Sequence, residues 1–370
     1  MQQRVIISQD IEHDLAQAIA ETEHDRVFVL TDDITQECCL PKVAVLFAKH
    51  NATTITIRHD DTNKTLATLA DVWTALQRGG ATRHSLLVNL GGGMVTDLGG
   101  FAAATFKRSI NFINIPTTLL AMVDAAVGGK TGINFGGLKN EVGAFANARY
   151  VIVNTCFLDT LDTANLCSGY AEMLKHSLIS NAQMWAEHVN FDILQPDLAE
   201  LQRMVAASIA VKEHIVADDP HEHGIRKALN FGHTIGHALE EFSMQQPGGA
   251  VVSARLLPLA RARTAPKNTL LHGYAVAFGL IGELYISARK AGFPTARLHQ
   301  TARFIRENYG AVAFTCDDYP TLLNLMRHDK KNTSDTINFT LLHDIGDIRI
   351  NQTATDEEIR EALDFIREGY

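Results

Sequence analysis

"HSLLVNLGGGMVTDLGGFAAATF", residues 84–106, decides how the N-terminal half of the chain folds. It begins as an apolar, β-prone run, passes through Gly91, Gly92 and Gly93, and continues with helical spacing. A strand that enters a helix through glycines lets backbone N–H groups approach a phosphate, and the helix N-terminus adds partial positive charge. The same residues would also make a tight strand-to-helix turn with no ligand, and they are not the G-x-G-x-x-G fingerprint. Asp97, one turn into the helix, is an unwelcome neighbour for a phosphate, so a more selective contact is expected there.

On either side the same grammar repeats. "RVFVLTDD", "ATTITIRHD" and "INFINIPTT" read as strands, whereas "KVAVLFAKH" and "NKTLATLADVWTALQRGGA" read as helices. Strands alternating with helices predict a parallel sheet covered on both faces, with ligands at the carboxyl ends of its strands. From about residue 157 the strand signal nearly vanishes. The stretches at 165–189, 197–218, 225–242, 273–292 and 356–369 all follow the helical period, and only "TINFTLLHDIGDIRI" suggests a hairpin. The expected architecture is an α/β, Rossmann-like N-terminal domain with a parallel sheet over residues 1–156 and a mainly α-helical C-terminal domain over 157–370. A cleft between two such domains is a default ligand site.

Composition narrows the function. The 370 residues are 46% hydrophobic and 20% charged with a net charge of −9, ordinary for a globular enzyme and a poor electrostatic match to nucleic acid. The N-terminus lacks the apolar core of a signal peptide and no run is long enough to span a membrane, so a cytoplasmic protein is expected. Five cysteines without paired metal spacing read as reduced thiols.

A second glycine-rich element, "IPTTLLAMVDAAVGGKTGIN", ends a strand with Thr117 and Thr118 and then places Asp124, Gly128, Gly129 and Lys130 close together, which strengthens the expectation of an anionic ligand. In the helical half, "IRKALNFGHTIGHALE" carries Arg226, Asn230, His233 and His237 at spacings of four, three and four. On one continuous helix at about 100° per residue they would fall within about 60° of one another. Such a polar stripe reads as a functional wall rather than core. H-x-x-x-H is the spacing of a zincin metal pair, but the intervening glutamate is absent. Glu172, with Lys175 one turn later in "SGYAEMLKH", could join two imidazoles in a divalent-metal site. Lys212, Lys330 and Lys331 are cationic candidates.

Taken together, "GGGMVTDLGGFAAATFKR", "IPTTLLAMVDAAVGGKTGIN", "LKNEVGAF", "SGYAEMLKH", "GIRKALNFGHTIGHALE", "LLHG" and "DKKN" resemble the 3-dehydroquinate synthase family of the sugar-phosphate cyclase superfamily, over nearly the whole chain. The resemblance implies a bound NAD and one divalent metal, zinc or cobalt. It implies a phosphorus–oxygen lyase of the shikimate pathway, acting on 3-deoxy-D-arabino-heptulosonate 7-phosphate. The reaction would be transient oxidation at C5, loss of phosphate, return of the hydride, ring opening and aldol closure to 3-dehydroquinate. Carried over by motif, the metal ligands are Glu172, His233 and His272. His237, Lys175, Lys130 and Asp124 form the catalytic set. Arg108, Asn140, Lys212, Arg226, Asn230 and Lys330 bind substrate, with Arg108 supplied by the neighbouring subunit of a homodimer. NAD falls to Asp32, Asp61, Lys64, Gly92, Gly93, Met94, Val95, Thr96, Asp97, Thr117, Thr118, Lys130, Lys139, Phe157, Leu158, Asp159 and Thr160.

The chain departs from the family pattern at three places. "DD" stands where an acidic "GE" is usual, Tyr274 follows the third ligand in place of a glutamate, and thirty-four residues separate His237 from His272. The excess, at about 243–268, has the prolines, glycines and basic residues of a surface loop. If it loops out of the fold, His272 keeps its reach; if it is built in, the third ligand is displaced. Other readings are a cyclase of sedoheptulose 7-phosphate or glucose 6-phosphate, a metal-dependent polyol dehydrogenase, and a binding protein that keeps NAD without turnover. The cationic set favours the carboxylate-bearing heptulosonate.

Overall fold

In the computed structural model the described residues are 3–245, 251–252, 270–328 and 336–369. They form two compact units, residues 1–161 with 197–209 and residues 162–196 with 210–370.

The first unit is built on a six-stranded sheet. Its strands are β1 (Arg4–Ile7), β2 (Val27–Asp32), β3 (Thr53–Ile57), β4 (Leu86–Gly91), β5 (Asn111–Pro116) and, after the hairpin β6 (Lys130–Phe135) and β7 (Leu138–Phe145), β8 (Tyr150–Val153). The order is β1-β8-β5-β4-β2-β3, and every pairing is parallel. Every residue of β2 and β4 is buried, the pattern expected when helices cover both faces. The covering helices are α1 (Ile11–Glu21), α2 (Asp33–Cys38), α3 (Ala44–Lys49), α4 (Leu66–Arg78) and α5 (Gly93–Thr105).

Residues 84–106 thus form β4, a glycine turn and α5, as read. The second glycine pair in "DLGG" has a packing reason. A Cβ on Gly99 would lie 2.1 Å from the side-chain oxygen of Asn89 and 2.8 Å from Leu30, so only glycine lets α5 lie this close to the sheet. Beneath it, Asn89 donates to Asn114 of the adjacent strand at 2.9 Å, a buried amide pair in the middle of the sheet.

One element has no counterpart in the sequence reading. β6 and β7 pair antiparallel, with a register shift between Ile133 and Phe135. Asn134 sits in that shift. Its backbone N–H donates to the Lys64 carbonyl at 2.8 Å, its side-chain amide to the Asp61 carbonyl at 2.8 Å, and its side-chain oxygen accepts from Asn140 N–H at 3.0 Å.

The second unit is helical: α6 (Thr163–Leu178), α7 (Ala182–Asn190), the last part of α8 (Leu198–Asp218), α9 (His233–Gln245), α10 (His272–Lys290), α11 (Thr295–Tyr309), α12 (Tyr319–Arg327) and α13 (Asp356–Glu368). The expected hairpin is present as antiparallel strands Asn338–Asp344 and Asp347–Thr353. α6 is buried continuously from Leu166 to Leu178 and α10 from Gly273 to Leu284, so these two helices are the core rather than its cover. They approach to backbone contact: a Cβ on Gly273 would lie 1.8 Å from the carbonyl oxygen of Ser168 in α6. α9 packs on α10 in the same way, since a Cβ on Gly279 would lie 1.9 Å from the carbonyl oxygen of Gly232. No helix among the described residues is long and apolar enough to cross a membrane, and all five cysteines are free thiols.

The structure corrects the single-helix reading of 225–242. Ile225–Asn230 is a 3-10 helix that ends at Phe231 with extended ψ, and α9 starts at His233. Between them Gly232 has φ +79°, a left-handed conformation that breaks the rotation of the chain and favours glycine. Arg226 and Asn230 therefore do not share a helix face with His233 and His237. The atypical segment at about 243–268 begins with the last turn of α9 and otherwise lies almost entirely outside the described residues.

Candidate functional site

In the second unit the helix starts converge on one carboxylate. Glu172, in the middle of α6, is 0% exposed. Its Oε1 lies 3.4 Å from Nε2 of His233, the first residue of α9, and 3.5 Å from Nε2 of His272, the first residue of α10. Lys175, one turn along α6, pairs with the other oxygen, Oε2. Each imidazole is oriented from behind. His233 Nδ1 lies 3.1 Å from the Phe231 carbonyl and His272 Nδ1 lies 2.9 Å from Glu240 Oε2. With Nδ1 of each ring donating backward to the carbonyl or carboxylate, a neutral ring turns its Nε2 lone pair toward Glu172.

That arrangement tests the metal assignment. Neutral imidazoles would set two lone pairs against the Glu172 carboxylate, so the cluster calls for positive charge, supplied by protons on the rings or by a divalent cation. Ligands about 2.0–2.1 Å from a tetrahedral zinc stand about 3.4 Å apart, the separation found here. The electrostatics agree. Burial works to raise the Glu172 carboxyl, but the Lys175 ammonium and His233 overcome it and hold the group well below the usual carboxylate range. Burial disfavours charge on His272, but the carboxylates of Glu240 and Glu172 prevail and push it up to about 10. The site therefore attracts positive charge at its centre.

His237, one turn along α9, joins the other two imidazoles. Its ring centroid is 5.3 Å from that of His233 and 5.8 Å from that of His272, and all three can present nitrogens within 4.8 Å of one another. The intervening segment thus leaves His272 within reach of the cluster.

The remaining groups of this unit lie on α6 (Lys175), on α8 (Lys212) and in the segment before α9 (Arg226 and Asn230). Lys175, Lys212 and Arg226 are buried, and the Arg226 guanidinium donates to the Pro220 carbonyl at 2.6 Å. Asp219 organises the loop by accepting from the N–H groups of His223, Gly224 and Arg226 at 3.0, 2.6 and 3.1 Å. Asn230 donates to Glu222 at 2.8 Å. Lys330 lies outside the described residues.

In the first unit the expected NAD residues collect after the carboxyl ends of the sheet strands. Asp32 ends β2, Gly92 to Asp97 follow β4, Thr117 and Thr118 follow β5, and Phe157, Leu158, Asp159 and Thr160 follow β8 in a 3-10 helix. The N-terminus of α5 has no side-chain cap, and a Cβ on Gly92 would lie 3.0 Å from the Thr118 methyl, a contact tight enough to favour glycine at this turn. Asp32 is buried and caps α2 through Thr35 N–H at 2.7 Å; burial raises its carboxyl. The charge of Asp97 is answered by Lys64, whose ammonium lies 2.5 Å away and also bonds Asn140. Lys139 pairs with Asp61 at 3.4 Å at the surface. Asp124 lies in the π-helical turn Ala121–Ala125, and Lys130 opens β6. Arg108 is exposed in a loop where Lys107, Arg108 and Ser109 all have positive φ, at 48°, 67° and 97°. Three such non-glycine residues in a row store backbone strain, which functional loops retain.

Glu222, Glu240 and Glu283 were not singled out from the sequence. Glu240 stands seven residues after His233, two turns along the same helix face, and Glu283 is the one charged residue in the apolar run "AVAFGLIGELYIS". Both signals are legible once the partners are known.

Comparison with known proteins gives concordant results. Residues 54–168 match the model of the 3-dehydroquinate synthase N-terminal domain, and residues 169–257 and 260–332 match that of the C-terminal domain. The chain is 50% identical over 369 residues to the 3-dehydroquinate synthase of Parabacteroides distasonis, covering 100% of this chain and 99% of that one. It is 32% identical to the 3-dehydroquinate synthase of Clostridium tetani, covering 92% and 86%. Among solved structures it resembles a 2-deoxy-scyllo-inosose synthase complexed with carbaglucose-6-phosphate, NAD+ and Co2+, with a TM-score of 0.81 at 22% identity and coverage of 100% and 96%. The 2-epi-5-epi-valiolone synthase of Streptomyces hygroscopicus with NAD+ and Zn2+ bound gives 0.80 at 24% identity and coverage of 100% and 98%. These two structural likenesses speak to the fold.

Proposed function

The chain belongs to the 3-dehydroquinate synthase family, and from that premise we propose which of its residues do the work. The reaction is the conversion of 3-deoxy-D-arabino-heptulosonate 7-phosphate to 3-dehydroquinate and phosphate. The observation that carries the residue assignment is the convergence of Glu172, His233 and His272, with both imidazoles oriented from behind and spaced to share one ion. We assign these three as the ligands of a divalent metal, zinc or cobalt, and place NAD on the first unit along Asp32, the Gly92–Asp97 turn, Thr117 and Thr118. When bound, NAD accepts and returns the hydride at C5 and the metal lowers the pKa of the hydroxyl being oxidised.

The chain's own side chains supply the rest. Lys175, held against Glu172, keeps a fixed positive charge beside the ligand set and meets the anionic oxygens of the substrate. Lys212, Arg226 and Asn230 recognise its carboxylate and phosphate by charge-assisted hydrogen bonds. His237, next to the two ligand imidazoles, relays protons near the leaving phosphate. Asp124 and Lys130 keep the catalytic role implied by motif, and Asn140 and Lys330 the substrate-binding one. Lys64 neutralises Asp97, so that the glycine turn accepts a diphosphate.

The test is phosphate release from the heptulosonate phosphate, followed together with NADH absorbance. Release that stops on chelation and returns with zinc, with no net NADH, is expected. Net accumulation of NADH would indicate a polyol dehydrogenase, and release indifferent to chelator would remove the metal.

We further propose a homodimer in which exposed Arg108 completes the neighbouring site. Equal mixtures of Arg108→Ala and His237→Ala chains, each inactive alone, are then expected to recover about a quarter of wild-type activity, because half of the mixed sites in half of the dimers are intact. Size-exclusion chromatography with light scattering checks the dimer. No recovery in a dimeric mixture would place Arg108 in its own subunit's site.

A further inference from the structure

Two buried carboxylates outside the assigned set form a reciprocal arrangement. Glu240 on α9 reaches the first residue of α10, accepting from His272 Nδ1 at 2.9 Å. Glu283 on α10 reaches the start of α9: Oε2 accepts from Gly232 N–H at 2.7 Å, and Oε1 accepts from the N–H groups of Thr234 and Ile235 at 2.9 and 3.2 Å. Each helix sends one carboxylate to the end of the other where a histidine ligand sits. Glu240 is 6% exposed and Glu283 is 0% exposed. Burying a carboxylate costs several kcal/mol unless it is fully hydrogen-bonded, so neither is a neutral choice for a helix interface. A helix start is ordinarily capped by the serine, threonine, aspartate or asparagine preceding it. Here that residue is Gly232, and the capping function comes from another helix.

We propose that Glu240 and Glu283 are positioning residues for the metal centre, locking α9 and α10 against each other so that His233 and His272 are spaced for an ion before it binds. The proposal rests on the reading of Glu172, His233 and His272 as the ligand set. Glu240 fixes the tautomer and ring orientation of His272 and raises the basicity of its Nε2, the usual action of a carboxylate behind a ligating imidazole. Glu283 fixes the register of the two helices, because any slide of α10 along α9 breaks three hydrogen bonds at once. The backbone contact at Gly279 leaves no slack to absorb such a slide.

The experiment uses the full-length chain stripped of metal and titrated with Zn2+ against a competing chelator, and with Co2+ read by its visible spectrum. Glu240→Gln keeps the shape and one acceptor but removes the charge. It is expected to weaken zinc binding about 10–100-fold and to shift the Co2+ bands. The metal-free variant is expected to melt below wild type, because His272 loses its carboxylate partner, but by less than the lost zinc affinity accounts for. Glu283→Gln, which cannot accept all three N–H groups, is expected to weaken zinc binding and also to lower the metal-free melting temperature. A wild-type chain that binds neither ion overturns the ligand assignment itself. Tight wild-type binding with unchanged affinity and spectrum in Glu240→Gln overturns this proposal alone. A metal-free Glu240→Gln chain destabilised in proportion to its lost affinity also overturns it, because the role is then general packing.

Discussion

Glu172→Ala is expected to lower kcat/KM for phosphate release by about three orders of magnitude or more, about 4 kcal/mol of transition-state stabilisation, and to leave the purified chain without tightly held metal. The size follows from where the carboxylate sits. It is 0% exposed, it faces both His233 and His272, and it is the partner of the buried Lys175 ammonium. Removing one partner of a buried ion pair is strongly destabilising, about 3–5 kcal/mol, so chemical denaturation should register the change even in metal-free protein. Glu172→Gln separates the two effects: it preserves volume and some hydrogen bonding, yet still loses the ligand charge. Metal content by mass spectrometry and kcat/KM check the expectation. Either variant retaining one metal ion per chain and activity within tenfold of wild type would remove Glu172 from the ligand set.

The second large effect is expected from a residue with no functional group. Gly273→Ala adds a methyl that would lie 1.8 Å from the Ser168 carbonyl oxygen, a backbone atom of α6 that no rotamer change can move. The start of α10 must shift, and His272 is the adjacent residue. Overpacking of this kind costs about 1–3 kcal/mol. That corresponds to a fall of several degrees in melting temperature, at about 2–4 °C per kcal/mol for a unit of this size. A misplacement of about 1 Å at a reacting group costs roughly a hundredfold in rate, so the activity loss should exceed what the stability loss explains. Thermal melting and chelator competition on the same preparation distinguish the cases. A lower melting temperature with zinc affinity unchanged would mean that α10 adjusts without moving its ligand.

Much of this architecture was legible in the amino-acid sequence because its signals are local. β4 and α5 were readable because the strand is apolar except for Asn89 and the helix follows directly through glycines. The hairpin β6–β7 was not, because β7 is mostly exposed and shows no buried alternating face. The spacing of Arg226, Asn230, His233 and His237 suggests one helical surface, which the structure does not have. Helical spacing assumes uninterrupted rotation, which the left-handed Gly232 ends. The metal candidates were found through their motifs. The carboxylates that hold them were not, because Glu240 and Glu283 meet partners 32 and 51 residues away, beyond the reach of any periodicity.

The clasp at the head of α9 also bears on motion. The first amides of a helix normally lack acceptors and are where it frays. Those of Gly232, Thr234 and Ile235 are instead tied to a fully buried carboxylate of another helix. They can meet solvent only when α9 and α10 part, so fraying there is replaced by a rarer, cooperative opening. The end of α9 that carries His233 is therefore its slow end, and faster local fluctuation is left to segments with fewer buried bonds.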